Sequence, residues 1–297
     1  MHKLFGNPLL LLSSTLILMQ SAFAAESGLI ASGAEVVEVQ GGFAFLEGPV
    51  SDANGNLFFS DIHNNRLHKL SSTGEISVFR EPSNYANGLT LDLDGGLLIC
   101  EQDAQRLVKM DSSGNITVVA DSYQGKPFNS TNDVWVHPNG SIYVTDPHYR
   151  YPLSGPSQEG EYVYRISADH QQVTAIITDV PKPNGVVGTE DGKTLYIAST
   201  EVRKIFRYGI DSDGTVSNRI DFADQHSDGM TLDEHGNVYL TWGDGVSIRN
   251  PAGEEIEFIK TEQTPANVGF GGHDGKTLFM TSRTSLYSLR MNVQASR

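Results

Sequence analysis

Residues 87–99 read NGLTLDLDGGLLI and contain the pattern that decides the fold. Asn87 begins a short apolar segment, a glycine turn follows at Asp94-Gly95, seven residues after Asn87, and a second apolar segment returns from Leu97. The same offset between an oxygen-bearing side chain and a glycine turn occurs six times along the chain. These oxygen-bearing residues, called the anchors below, are Glu47, Asn87, Asn132, Asn184, Asp228 and Asn267.

Successive anchors are 40, 45, 52, 44 and 39 residues apart. This period is typical of four-stranded propeller blades and is longer than a leucine-rich, ankyrin or tetratricopeptide repeat. Short segments with strand-forming residues recur throughout, and no window of helical length shows sustained helical spacing of apolar residues. We therefore predict an all-β fold, a six-bladed β-propeller, formed by residues 25–297 as a single domain.

Two features of the chain bear on how the ring closes and on what covers it. The last unit ends near Met291, so residues 35–39 are predicted to supply its outer strand. The third unit carries the longest interruption, residues 147–160, which includes several aromatic residues. Such a loop either covers a binding site or is an ordinary surface excursion.

Residues 1–24 have the features of a secretory signal peptide. Lys3 precedes an apolar run over residues 8–19, and small residues follow at Ala22-Phe23-Ala24. A retained amphipathic anchor is the alternative. Because no later stretch is apolar enough to span a membrane, we predict that the mature protein is periplasmic or secreted and has no membrane segment.

Charge and cysteine content exclude two classes of interaction. The chain has 36 acidic and 21 basic residues and a formal charge of −15. Such a surface repels phosphate backbones, so we predict no nucleic-acid partner. Cys100 is the single cysteine, which excludes an internal disulfide, and its apolar neighbours favour a buried small hydrophobe over a nucleophile.

The anchors are predicted to surround a metal ion. The first strand of a propeller blade is innermost, so residues at its start converge at one mouth of the central channel. Oxygen ligands favour Ca²⁺, with Mg²⁺ or Mn²⁺ as alternatives, and the absence of His and Cys from this set disfavours zinc and copper. We predict Glu47, Asn132, Asn184 and Asp228 as ligands, with Asn87 and Asn267 as further candidates.

A competing interpretation exists for the same residues. Asn-Gly and Asp-Gly are strong hairpin signals, so Asn87-Gly88, Asn184-Gly185 and Asp228-Gly229 could simply be turns. Asp61, Glu101 and Asp146 end the second strands and could be loop caps, although Glu101 and Asp146 could also reach the pocket. No nucleophile elbow or phosphate-binding loop is present.

Five motifs resemble the senescence marker protein, gluconolactonase and luciferin-regenerating enzyme family of six-bladed propellers, in particular its bacterial gluconolactonase-like branch. They are Leu46-Glu47-Gly48-Pro49, FNSTNDV at residues 128–134, Thr145-Asp146-Pro147-His148-Tyr149, Pro183-Asn184-Gly185-Val186 and Ser227-Asp228-Gly229-Met230. The resemblance implies a divalent metal held by Glu47, Asn184 and Asp228, with Asn132 bound to metal or substrate, and hydrolysis of a cyclic ester. Regucalcin-like members carry a sugar-binding arginine where this chain has Ser130.

These observations predict a metal-dependent hydrolase that opens the ring of a small-molecule lactone. The metal would polarise the carbonyl and Asp228 would act as general base for the attacking water. We predict that Asn132, Tyr149, Glu101 and Trp242 bind the substrate. The alternatives are a phosphotriesterase or fluorophosphatase-like hydrolase and a non-catalytic binding propeller stabilised by calcium.

Overall fold

The computed structural model describes residues 27–149 and 156–296. The predicted signal peptide and the middle of the 147–160 loop lie outside the described residues. Within them the structure is built from strands and contains no helix, hence none that could cross a membrane. The strands are β1 (Val37–Gly41), β2 (Leu46–Ser51), β3 (Leu57–Asp61), β4 (Arg66–Leu70), β5 (Ile76–Arg80), β6 (Ala86–Leu91), β7 (Leu97–Glu101), β8 (Arg106–Met110), β9 (Ile116–Ala120), β10 (Ser122–Tyr123), β11 (Lys126–Pro127), β12 (Val134–Val136), β13 (Ile142–Asp146), β14 (Tyr162–Ile166), β15 (Val173–Ile177), β16 (Pro183–Gly188), β17 (Thr194–Ser199), β18 (Lys204–Ile210), β19 (Val216–Ala223), β20 (Met230–Leu232), β21 (Val238–Trp242), β22 (Gly245–Arg249), β23 (Glu255–Lys260), β24 (Asn267–Gly271), β25 (Thr277–Ser282) and β26 (Ser285–Arg290).

Of these strands, 24 form six antiparallel four-stranded blades, which confirms the predicted six-bladed β-propeller, and β10 and β11 pair as a separate two-stranded sheet. Blades 1 to 5 run in chain order from their inner to their outer strand, and begin with β2, β6, β12, β16 and β20. The sixth blade consists of β24, β25 and β26, with β1 as its outer strand. The β1–β26 pairing from Val37↔Ser288 to Gly41↔Ser285 closes the ring as predicted, although β1 begins two residues later than expected.

Apolar side chains between adjacent blades form the core. Strand alternation sends one face of each sheet towards the neighbouring blade. Tyr143 and Val163 of the third blade, for example, pack with Leu195 and Ile197 of the fourth, and all four side chains are fully buried. Cys100 lies in another such cluster, buried and unpaired, which agrees with its predicted packing role.

The glycine after several anchors permits close contact between inner strands. Gly185 donates its backbone N–H to the carbonyl oxygen of Asp228 at 2.8 Å, and a Cβ atom at Gly185 would lie 2.4 Å from that oxygen. Gly88 makes the equivalent contact with Asn132 of the next blade. These glycines serve the approach of one backbone to another. Because they lie in the innermost strands, the hairpin-turn interpretation is wrong at both positions.

Candidate active site

Five of the six anchors line one cavity of about 380 Å³, at the end of the channel where the inner strands begin. The anchors in its wall are Glu47, Asn87, Asn132, Asn184 and Asp228. The remaining lining residues are Phe45, Ile62, His63, Gln102, Tyr149, Thr200 and His226. Asn267 instead lines a separate cavity of about 290 Å³ and donates from Nδ2 to Oε2 of Glu47 at 2.9 Å.

Glu47 is a buried carboxylate, only 3% exposed. Besides Asn267, the backbone N–H of Gly48 donates to Oε2 at 3.0 Å. Burial, followed by the charge of Asp228, raises the pKa of Glu47 well above its usual value despite these hydrogen bonds. The hydrogen bonds to Glu47 therefore do not fully offset the free-energy cost of ionising this buried carboxylate.

Asp228 is partly exposed to solvent. Its backbone N–H donates to Thr241 Oγ1 at 3.0 Å, which fixes the main chain just before β20. Burial raises the pKa of Asp228 to about 6, although a hydrogen bond from Asn184 and the charge of Arg283 act in the opposite direction. The cavity thus contains two carboxylates that destabilise one another when both are ionised.

The amide anchors differ in their hydrogen bonding. Asn132 and Asn87 are 3% and 6% exposed, yet within the described residues their side chains form no hydrogen bond. Asn184 donates from Nδ2 to the hydroxyl of Tyr149 at 2.7 Å, and that hydroxyl lies 3.2 Å from Thr200 Oγ1. Buried amides without protein partners are suited to a bound ligand.

The anchors that line the cavity carry oxygen atoms that suit a divalent cation. Two carboxylates and neighbouring amide oxygens match the preference of Ca²⁺, and a cation would relieve the repulsion between Glu47 and Asp228. Asn184 donates to Tyr149 through its amide nitrogen, and its amide oxygen is the atom that could bind a cation. Between residues 27 and 149 and between 156 and 296, no group of three or more His, Cys, Asp and Glu residues could hold a metal. The amides are therefore essential to any cation site here.

Glu101 and Trp242, both predicted to bind substrate, do not line the cavity. Glu101 is fully buried and accepts hydrogen bonds from Arg80 at 2.6 Å and Arg106 at 2.7 Å. Trp242 lies beneath the guanidinium group of Arg203, 5.2 Å from the ring centre. The structure therefore brings Asn132 and Tyr149 of the predicted substrate residues to the cavity, and leaves these two outside it.

Asp61 and Asp146 hold the segments that lead into the inner strands. Asp61 accepts the backbone N–H of Phe45 at 3.0 Å, and Asp146 accepts those of Asn129 and Ser130, both at 2.8 Å. Burial raises the pKa of Asp146 to about 7. Both carboxylates act as loop caps, which was the interpretation given for Asp61 and one of the two given for Asp146.

Several lining residues were not predicted, although two simple positional signals identify most of them. Ile62, Gln102 and Thr200 each follow the last residue of a second strand. Phe45 and His226 lie two residues before an anchor. A search of these two positions in every unit would have added them to the candidate site.

Comparisons with known proteins agree with this architecture. Residues 45–284 match the family described as the SMP-30/gluconolactonase/LRE-like region. A gluconolactonase from Zymomonas mobilis is 30% identical over 278 residues, which cover 82% of this chain and 78% of the relative. A solved structure of a gluconolactonase from Xanthomonas campestris has a TM-score of 0.83 at 26% identity and covers 88% of this chain and 91% of its own.

A luciferin-regenerating enzyme of known structure shares the fold alone, with a TM-score of 0.76 and 18% identity, over 89% of this chain and 97% of its own. The family match spans most of the described residues and all of the cavity-lining anchors. This chain therefore belongs to the SMP-30/gluconolactonase/LRE-like family.

Proposed function

We propose that this protein is a divalent-cation-dependent lactonase that opens a small cyclic ester. The observation that carries the proposal is the pair of carboxylates, Glu47 and Asp228, which line one cavity together with the amides of Asn87 and Asn132, whose side chains form no hydrogen bond with the described residues. Membership of a family that includes gluconolactonases supports a lactone as substrate. A cavity of about 380 Å³ suits a small molecule.

The anchors supply the cation-binding groups in this proposal. Glu47, Asn132, Asn184 and Asp228 would hold the ion, with Ca²⁺ preferred over Mg²⁺ or Mn²⁺ because the site has neutral amide ligands as well as carboxylates. When bound, the cation supplies polarisation of the lactone carbonyl. Asn132 can also donate from its amide nitrogen to the substrate.

Asp228 is the proposed general base. Glu47 is almost fully buried and its Oε2 is engaged by Gly48 and Asn267, whereas Asp228 is partly exposed. Asp228 can therefore accept the proton of a water molecule that attacks the ester carbonyl. Tyr149, fixed by Asn184 and Thr200, forms a wall beside this position and orients the ring of the substrate.

Hydrolysis of aldonolactones, aromatic lactones and acyl homoserine lactones, measured with and without a chelator, tests the proposal. We expect turnover of at least one class, its loss on chelation and its recovery on addition of calcium. Circular dichroism of the chelated protein controls for unfolding. Activity that is indifferent to chelation would contradict the cation dependence, and preferential turnover of paraoxon-type esters would replace the lactonase by a phosphotriesterase.

We also propose that residues 1–24 direct export and are removed, so that the enzyme acts in the periplasm or outside the cell. Protein sequencing of the amino terminus in cell fractions tests this. A mature chain that begins near residue 25 in the periplasmic or extracellular fraction is expected, and a cytoplasmic chain that retains residues 1–24 would contradict it.

A further inference from the structure

Two arginines near the cavity have guanidinium groups without a polar partner among the described residues. Arg203 and Arg283 lie in the turns between the second and third strands of blades 4 and 6. Their guanidinium groups lie over aromatic rings, Arg203 at 5.2 Å from the centre of Trp242 and Arg283 at 5.3 Å from the centre of Phe45. Within residues 27–149 and 156–296, neither guanidinium group forms a hydrogen bond or an ion pair.

This absence sets the two residues apart from the other arginines. Each of the others in the described residues donates at least one hydrogen bond to a carboxylate, an amide or hydroxyl oxygen, or a backbone carbonyl. The protein is strongly acidic, with 36 carboxylate residues against 21 basic ones, so counter-charges are abundant. Ring stacking occupies the face of a guanidinium group and leaves its N–H donors, which lie in its plane, available to an anion.

Both arginines lie in segments that adjoin the cavity wall. Phe45, beneath Arg283, and His226 both line the cavity. The turn that carries Arg203 begins at Thr200, which also lines the cavity. In the part of the chain that the structure describes, His226 Nδ1 is buried without a hydrogen-bond partner, so this side of the cavity has both positive charge and an unused polar atom.

We infer that the substrate of the proposed lactonase carries a carboxylate substituent, which Arg203 and Arg283 bind while the ester faces the anchors. The inference rests on the proposed function for the reacting group, but recognition of the anion is a separate property. The cavity then has two electrostatic sides, because the bound cation balances the charges of Glu47 and Asp228, whereas the positive charges of the two arginines remain available to a carboxylate. Such an arrangement fixes the direction in which an asymmetric ring enters.

The same arrangement assigns a positioning role to Trp242. Its ring holds the guanidinium group of Arg203 from below, as Phe45 holds that of Arg283. Trp242 was expected to contact the substrate, and it acts here through an arginine instead. Arginine is better suited than lysine to this task, since its planar donors match a carboxylate in a bidentate manner.

Two matched lactones test the inference in the cation-loaded protein. They are γ-butyrolactone and 5-oxotetrahydrofuran-2-carboxylate, which has the same ring with one added carboxylate. We expect kcat/KM to favour the carboxylated ring by about ten-fold, the value of one charge-assisted interaction, and the preference to fall as salt rises. Arg203→Gln and Arg283→Gln should each remove most of this preference, and the corresponding lysine variants should retain part of it.

Lys193→Gln is the matched control. It makes the same change of charge on a side chain that is 78% exposed, in a turn at the opposite end of blade 4. This variant should keep the preference of the wild-type protein. Equal kcat/KM for the two rings in the wild-type protein, or a preference that survives both glutamine substitutions, would overturn the inference and leave the lactonase proposal intact.

A binding measurement separates the two proposals completely. 2-Pyrrolidone-5-carboxylate and 2-pyrrolidone are lactam analogues of the same pair, and calorimetry gives their affinities without any hydrolysis. Tighter binding of the carboxylated lactam, weakened in Arg203→Gln and Arg283→Gln, supports anion recognition even if no lactone is turned over. Equal affinities for the two lactams would overturn it.

Discussion

The first two strands of each blade form its inner hairpin, which has a glycine turn at one end and faces the cavity at the other. Carboxylates at these two ends have pKa values that are shifted in opposite directions. At the glycine-turn end, Asp191 accepts the backbone N–H of Lys193 at 3.0 Å, and a hydrogen bond from Thr189 is the largest cause of its lowered pKa. At the cavity end, seven residues before the glycine turns of their own units, Glu47 and Asp228 have raised pKa values, chiefly because both lose contact with water.

The difference separates residues that stabilise the fold from residues that bind. A carboxylate with a lowered pKa gains more from the folded protein than it loses, whereas one with a raised pKa is less stable there than in water. A raised pKa alone does not identify a binding group, since Asp146 combines one with a loop-capping role, whereas Glu47 and Asp228 line the same cavity. Perturbation of this kind is characteristic of functional sites.

Substitution of the cavity carboxylates is expected to have the largest effect. Asp228→Asn and Glu47→Gln should each lower kcat/KM for a lactone by about 10³-fold, because each removes a cation ligand and the first also removes the general base. The metal-free proteins should be as stable as the wild type or more stable, since the change removes one of two repelling charges. Lactone kinetics and thermal unfolding in the presence of a chelator measure both properties.

Asp274→Asn is the control at the opposite end, where the same chemical change should leave lactone hydrolysis intact. If Asp228→Asn instead unfolded the metal-free protein, the two ends would not differ in the way described, and Asp228 would belong with the residues that stabilise the fold.

The fold followed from the sequence because its determinants are local and repeated. The offset of seven residues fixes the inner hairpin of every blade, and alternation within short segments fixes the strands. Even the closing strand β1 could be placed within two residues, since the last unit had no chain left to supply it.

The site followed less completely because side-chain partners come from distant segments. The residues that pair with Glu101 include Arg80, which lies 21 residues earlier in the outer strand of the preceding blade. Asn267 occupies the anchor position but donates to Glu47 instead of lining the same cavity. The repeat predicts the position of each residue within its blade. Which side chain it contacts depends on how adjacent blades pack, and the repeat does not show this.

The effect of Asp228 on the pH dependence of stability is expected to be intermediate in size, between the loss of activity above and the change at the glycine turns below. Asp228 has a pKa of about 6 in the folded protein, above its usual 3.8, so the folded state holds this proton more tightly. The stabilisation that results from this tighter proton binding is fully present below the usual pKa and is lost as pH rises through 6. Between about pH 4 and pH 7, unfolding free energy should fall by about 2 kcal/mol more in the metal-free wild type than in Asp228→Asn.

Urea denaturation of both proteins at the two pH values, with a chelator present, measures this difference. Calcium should abolish it, because a bound cation keeps the carboxylate ionised throughout the range. Identical pH profiles for the two metal-free proteins would show that Asp228 is not destabilised by ionisation, and the distinction between the two ends would lose its electrostatic basis.

The smallest effect is expected for the stability of a variant in a glycine turn, Asp274→Asn. Asp274 accepts a hydrogen bond from Arg290 Nη1 at 2.7 Å, and this partner is the largest cause of its lowered pKa. Its contribution to stability is present above the usual pKa and is lost as pH falls through the lower folded value, which is the reverse of Asp228. Because both side chains are about half exposed, Asp274→Asn should cost less than about 1 kcal/mol in urea denaturation at neutral pH. A much larger loss, or one that grows on acidification, would mean that this carboxylate is not the solvent-screened turn residue that its geometry indicates.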